Sequence, residues 1–397
     1  MALADALAAP LVRPTPKRTG SRVDWIDRLR IWLTVLVVAH HAADTYATIS
    51  DWYVPEPGRD ASAFGLTVFL TVNQTYFMGL FFLLSGLFVP RSADRKGLGR
   101  FTRDRLLRLG VPIVAYVVVI RPLCLIYAAI YLNRRAAANG HSFSIARYLA
   151  FGGDPGVTWF LEVLLAFTLG YVLIRLCLGR LARTRVGRHG DTAPEGVPVR
   201  APRPWMLLAF AGVLAAATLA WHWLTPSGSY WPGVGLPSPD YLPQYLLFFV
   251  AGVAASRRGW LDRLSRWYAI PAGLAALFGV VLYAPVVGQP VGLAQLSTGV
   301  ATAVGQTLFA IGSTILLVLL FRTVFARPAG RLTRLLANQS MAVYVTHPAV
   351  LVAVAVALRP LAAPSAVKAA ILFAISAPLC WAVAWLLRRI RVVRAVV

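Results

Sequence analysis

Two adjacent histidines and an aspartate interrupt an otherwise apolar stretch near the amino end, Arg30-Ile31-Trp32-Leu33-Thr34-Val35-Leu36-Val37-Val38-Ala39-His40-His41-Ala42-Ala43-Asp44. Imidazole is the side chain whose ordinary pKa lets it exchange protons near neutrality. Ionisable groups at membrane depth are costly and tend to mark functional sites. On a helix, Asp44 follows His40 by four positions and His41 by three, so its carboxylate shares a face with either ring. An acid there would fix a tautomer and stabilise an imidazolium, as orienting acids do beside catalytic histidines. The structural alternative is a histidine pair hydrogen-bonded inside a bundle; two rings plus an acid favour function.

Other polar residues recur inside apolar runs. Asn73-Gln74-Thr75 forms an island that could line a cavity, and Ser85-Gly86 lies in Phe81-to-Pro90, where close helix packing is the plain reading. Arg105 and Arg108 share a helix face leading into Pro112, and guanidinium forks suit phosphate oxygens. Topology alone would also place arginines there. Arg121 and Glu162 fall within predicted spans, either paired with polar groups of the bundle, each other included, or lining a substrate path. Tyr344 and His347 are three apart, so they too share a face.

The elements that must position these groups are membrane helices. Hydrophobic residues make up 58% of the 397-residue chain and charged ones 14%. Ten apolar stretches approach the length of about 20 residues that a bilayer requires, over 29–49, 64–90, 111–132, 157–178, 205–223, 241–255, 269–287, 300–324, 340–358 and 366–387. Such a chain is expected to be an all-α bundle, because lipid offers backbone amides no partners outside their own segment. With both termini cytoplasmic, 32 of the 39 Lys and Arg fall on the cytoplasmic side, as the positive-inside rule requires. The net charge of +24 therefore reads as topology and contact with anionic lipid headgroups, not as nucleic-acid binding.

Cys124, Cys177 and Cys380 are widely spaced in apolar surroundings, which argues against disulfides and zinc. Residues 1–23 read as a disordered cytoplasmic tail, with 24–397 as one membrane domain. The charges of the tail follow its short apolar run, the wrong order for a signal peptide. The Arg-, Gly- and Pro-rich connection 179–204 reads as a flexible loop. No inverted repeat of the transporter kind is visible.

Taken together, these motifs resemble the acyltransferase-3 family of integral-membrane acyltransferases. The resemblance is carried by Asp27-Arg28-Leu29-Arg30 with His41 eleven positions after Arg30, by Phe81-to-Pro90, by Arg105 and Arg108 before Pro112, by Trp159-Phe160 and by Ser340-to-Pro348. Leu84-to-Ser92 and His40-His41-Ala42-Ala43 are similar to the glucan biosynthesis protein C branch, linked to succinylation of periplasmic glucans.

The resemblance implies transfer of an acetyl or succinyl group from cytoplasmic acyl-CoA to a hydroxyl of a carbohydrate or other acceptor across the membrane. It makes His41 the catalytic histidine, Arg30 its helix-1 partner, and Arg105 and Arg108 the donor-binding pair. Asp44 or Glu162 would support His41. Ser85 joins the donor-binding residues, and a covalent acyl group on His41 or Ser85 is open. His40, Asn73, Arg121, Tyr344 and His347 are candidates for lining the site. No cofactor is expected beyond acyl-CoA as donor substrate, and no metal. The additional His40, Asp44 in this setting and Arg121 depart from the family pattern. The Ala, Arg and Val content suggests a GC-rich bacterial genome, hence a multi-pass plasma-membrane protein. The main rival is a proton-coupled carrier or flippase using the same histidines.

Overall fold

The computed structural model describes residues 24–50, 52–151, 155–186, 201–226, 228–231, 235–287 and 296–396. The predicted tail 1–23 and positions 187–200 of the polar connection lie outside them. The principal helices are α1 (Asp24–Tyr46), α2 (Ala61–Gln74), α3 (Phe77–Lys96), α4 (Leu98–Ala138), α5 (Trp159–Val186), α6 (Pro204–Leu224) and α7 (Leu242–Arg258). They continue as α8 (Ala269–Tyr283), α9 (Leu296–Thr323), α10 (Arg331–Leu358) and α11 (Ser365–Leu387). No β-strand occurs among the described residues; one isolated bridge joins Trp231 to Leu236. The protein is an all-α polytopic bundle.

Each of the ten predicted stretches coincides with helix. Eight of the helical runs are long and apolar enough to cross a bilayer. The other two fall short for different reasons. α7 has only 17 residues, and α1 carries His40, His41 and Asp44 in its apolar half. The predicted 64–90 span is broken between α2 and α3, because Tyr76 departs from helical geometry with φ −132°. The polar island Asn73-Gln74-Thr75 lies at this break, but three polar residues within an apolar run do not by themselves signal one. Side chains hold it open: Gln244 Nε2 donates to the Thr75 carbonyl at 2.9 Å and Gln74 Nε2 to Tyr245 Oη at 3.0 Å. A broken membrane helix survives only where neighbours satisfy the freed backbone in this way.

α4 contains two π turns, Leu106–Gly110 and Tyr116–Ile120. Pro112 and Pro122 follow them, and each ring removes a backbone N–H from the helical ladder, so the preceding turn widens. The second π turn presents buried Tyr116, whose Oη lies 2.6 Å from Tyr53 Oη.

Small residues set the closest crossings. A Cβ on Gly86 would overlap the Phe249 carbonyl, and one on Gly252 the Leu83 carbonyl, so α3 and α7 touch backbone to backbone. The packing reading of Ser85-Gly86 is therefore correct for Gly86. Near the carboxyl ends of the same helices, Asp94 accepts from Arg257 at 2.7 Å and Arg175 at 3.0 Å, and both arginines donate to Tyr171 Oη.

At the opposite end, Asp60 caps α2 through Ser62 N at 2.9 Å and also accepts from Ser365 N at 3.2 Å, stapling the starts of α2 and α11. The Ser365 and Ser62 hydroxyls, the first of these foremost, hold its carboxyl below the ordinary value. A depressed folded pKa means the staple's contribution to stability is full above the unfolded value near pH ~4 and is lost progressively as pH falls from there through the folded value. Melting of purified protein should therefore drop between pH 5 and 3 by less in Asp60→Asn than in the unaltered chain. Equal drops would remove this role.

α1 packs against α10 and α11, with α2 and α9 also in contact. The histidine-bearing helix is thus enclosed on several sides by the carboxyl-terminal half.

Candidate active site

Pro348 sets the geometry of the site. Its missing N–H leaves the carbonyl of Tyr344, four residues earlier, without its helical donor. His347 fills that vacancy, with Nδ1 2.7 Å from the Tyr344 oxygen. A carbonyl only accepts, so Nδ1 carries the proton and Nε2 is left with its lone pair. That Nε2 is buried and has no hydrogen-bond partner.

Against His347 stacks His41 of α1, with ring centroids 5.2 Å apart and planes 22° from parallel. His41 also stacks on Trp52, at 4.1 Å and 20°. Trp52 belongs to the segment between α1 and α2, which folds back over the end of α1: Glu56 N donates to Thr45 O at 2.9 Å and Gly58 N to Tyr46 O at 3.3 Å. Three nearly parallel rings from three chain segments therefore meet, and each presents an unbonded nitrogen: His41 Nδ1, His347 Nε2 and Trp52 Nε1. Burial without partners costs on the order of 1–3 kcal/mol per polar group. A reacting ligand could recover that cost at His347 Nε2 and Trp52 Nε1, while His41 Nδ1 faces Asp44.

Asp44 Oδ2 lies 3.9 Å from His41 Nδ1, within ion-pair reach but beyond a hydrogen bond. The His41 and Asp44 side chains keep 21% and 14% of their exposure, so the stack is not sealed. His40 meets His41 edge-on, with ring centroids 5.3 Å apart, and finds its other partners away from His347. It stacks on Phe77 at 5.2 Å, and Asn73 Nδ2 donates to its Nδ1 at 3.0 Å. The sequence-predicted residues His41, His40, Asp44, Asn73, Tyr344 and His347 thus converge on one region. Tyr344 directs its hydroxyl to the Val157 carbonyl, and its ring meets Phe160 edge-on at 5.8 Å.

Gly156, at φ +50°, lets the turn before α5 press against Tyr53 and Tyr116, where any Cβ would overlap the Tyr53 hydroxyl. This turn carries Glu162, in the first turn of α5, into electrostatic range of Tyr344. Among the described residues no ion pair joins Glu162 to Arg121, which is buried on α4 near Cys124 and has other interactions.

The remaining candidates stand apart from the rings. Arg30, eleven residues before His41, lies roughly 16 Å down the helix axis and pairs with Asp27 at 3.7 Å. Ser85 is eight residues beyond Phe77, roughly 12 Å along α3 from the ring that touches His40. Arg105 lies over the Phe101 ring at 5.1 Å and Arg108 is exposed. Two shallow, open surface grooves of about 520 and 490 Å³ lie elsewhere, neither lined by a histidine. Trp52 was not read as a site residue from sequence. Its signal is its place eleven positions after His41, but aromatics beside a membrane helix are expected as interfacial anchors.

A polytopic helical bundle with imidazoles meeting across two helices defines a class of membrane-embedded protein with a protonatable centre. The family model described as "Acyltransferase domain", that of the acyltransferase-3 family, matches residues 23–385. The chain belongs to that family and is a membrane acyltransferase. Among curated proteins nothing matches, and the same holds for solved structures.

Proposed function

We propose that the protein is an O-acyltransferase that moves an acetyl or succinyl group from cytoplasmic acyl-CoA to a hydroxyl of a carbohydrate or other acceptor on the extracytoplasmic side of a bacterial plasma membrane. The observation that carries this reading is the His41–His347 stack, with an unbonded nitrogen on each ring and Asp44 beside the first.

His41 is the general base. With Nδ1–H toward Asp44, its Nε2 takes the acceptor proton as the hydroxyl oxygen attacks the thioester carbonyl. Asp44 stabilises the imidazolium that forms. The Trp52 indole N–H, a donor with no partner, is suited to the oxyanion of the tetrahedral intermediate. As that intermediate collapses, the C–S bond breaks and the leaving thiolate takes the proton back from His41. His347 Nε2, fixed as an acceptor, can receive the acceptor hydroxyl and align it. Arg30 and Ser85 lie on the cytoplasmic side of the rings, where they would meet the donor, and Arg105 with Arg108 is the pair the family resemblance gives to its phosphates. The resemblance of Leu84-to-Ser92 and His40-to-Ala43 to the glucan biosynthesis protein C branch makes succinyl transfer to a periplasmic glucan one form of this reaction, beside acetyl transfer and other acceptors.

Purified protein supplied with acyl-CoA and an acceptor should release CoA thiol equimolar with the ester formed. Uptake of either compound without thiol release would establish a carrier and remove the enzymatic reading.

A further inference from the structure

Trp52 stands outside any helix, so contacts from elsewhere must place its indole over His41. The next residue supplies them. The Tyr53 ring meets the indole edge-on, with centroids 5.0 Å apart and planes 68° from parallel. Its Oη lies 2.6 Å from Tyr116 Oη, so one hydroxyl donates to the other and the Trp52 segment is tied to α4. Tyr116 is fully buried.

Irregular backbone brings this pair together from two sides. The second π turn of α4 closes with the Arg121 N–H on the carbonyl of Tyr116 itself. Pro122 lacks the N–H that would bond the Val118 carbonyl, so the wide turn is written into the sequence. Single π turns inside α-helices are frequent at functional sites. On the other side Gly156, at φ +50°, admits the turn before α5, where any Cβ would overlap the Tyr53 hydroxyl and crowd Tyr116 Oη. The carbonyl of the following residue, Val157, accepts from the Tyr344 hydroxyl, and the Tyr344 carbonyl in turn holds His347 Nδ1. One turn, Gly156–Thr158, therefore registers both rings that stack on His41. Trp52 is reached through Tyr53 and Tyr116, and His347 through Tyr344. Two phenylalanines would fill the space of the tyrosine pair without burying two hydroxyls. What the hydroxyls add is direction, because a hydrogen bond weakens steeply when its partners swing out of line.

We propose that Tyr53 and Tyr116 are positioning residues: their hydroxyl pair, anchored on the π turn of α4, holds the Trp52 indole in place over His41, and acyl transfer depends on them through that ring. The dependence of transfer rests on the reading of Trp52 as oxyanion donor; the placement of the ring does not.

The test uses the full chain in detergent. Tyr116→Phe keeps the ring and removes one hydroxyl, so melting should stay near that of the unaltered protein. Its kcat should fall about tenfold with KM for the acyl donor unchanged, less than the roughly 10²–10³-fold loss expected when Trp52→Phe removes the N–H itself. Tyr53→Phe should match Tyr116→Phe, and the two together should cost no more than either alone. In a Trp52→Phe background, Tyr116→Phe should cost nothing further. A second readout needs no activity: in protein carrying 5-fluorotryptophan, the fluorine resonance missing from Trp52→Phe should shift or broaden in Tyr116→Phe and in Tyr53→Phe. An unmoved resonance would overturn the inference. So would a Tyr116→Phe loss repeated in full in the Trp52→Phe background, since the tyrosine would then act by another route. A moved resonance with full transfer in Trp52→Phe would instead remove Trp52 from the reaction and leave the tie to α4 standing.

Discussion

His41→Ala should reduce acyl transfer by about 10²–10⁴-fold, the usual contribution of a positioned general base, while yield and melting stay near those of the unaltered protein. His41 is only half-buried, and its nitrogens make no hydrogen bond that folding depends on. His40→Ala should cost much less. Its ring serves Asn73 and Phe77 and does not face His347. The decisive comparison is initial rate of ester formation at saturating donor for the two variants side by side. Full activity in His41→Ala, or a greater loss in His40→Ala, would move the base to another residue.

The second large effect is structural. Gly86→Leu should leave little folded protein, because its Cβ would meet the backbone of Phe249 and Val253, atoms that cannot rotate aside. Ordinary overpacking costs about 1–3 kcal/mol; separating two helices in backbone contact should exceed that. Gly252→Leu should do the same from the other side of the crossing. Gly65→Leu is the control, since nothing lies within 4 Å of the position its Cβ would take. Size-exclusion profiles and melting curves in one detergent make the comparison. A Gly86→Leu protein that elutes and melts like the Gly65→Leu control would show that α3 and α7 do not cross this tightly.

The class of fold was legible because apolar runs and arginine placement are properties of local sequence and lipid. Individual helices were legible for the same reason, including the one bearing His40 and His41. The site was legible in parts. His41, Asp44 and His347 stand out as polar residues in apolar helices, but their meeting depends on α1 packing against α10, a contact between distant segments that no local period encodes. Pro348 shows how much a short-range rule can reveal afterwards: the ring that removes an N–H also fixes which nitrogen of His347 is basic. Trp52 was hidden because an aromatic next to a membrane helix has a common explanation at the interface. The break at Thr75–Tyr76 stayed hidden because the side chains that stabilise it, Gln244 and Tyr245, lie on another helix.

The proposed reaction requires acyl groups to cross the bilayer through the rings of α1 and α10. Its most direct measurement uses sealed proteoliposomes with the protein in one orientation, acyl-CoA added at the cytoplasmic face and the hydroxyl acceptor confined to the opposite compartment. Ester should accumulate in the acceptor compartment while CoA thiol appears only on the donor side, and His41→Ala should stop both. Ester formed only when donor and acceptor share a compartment would contradict it.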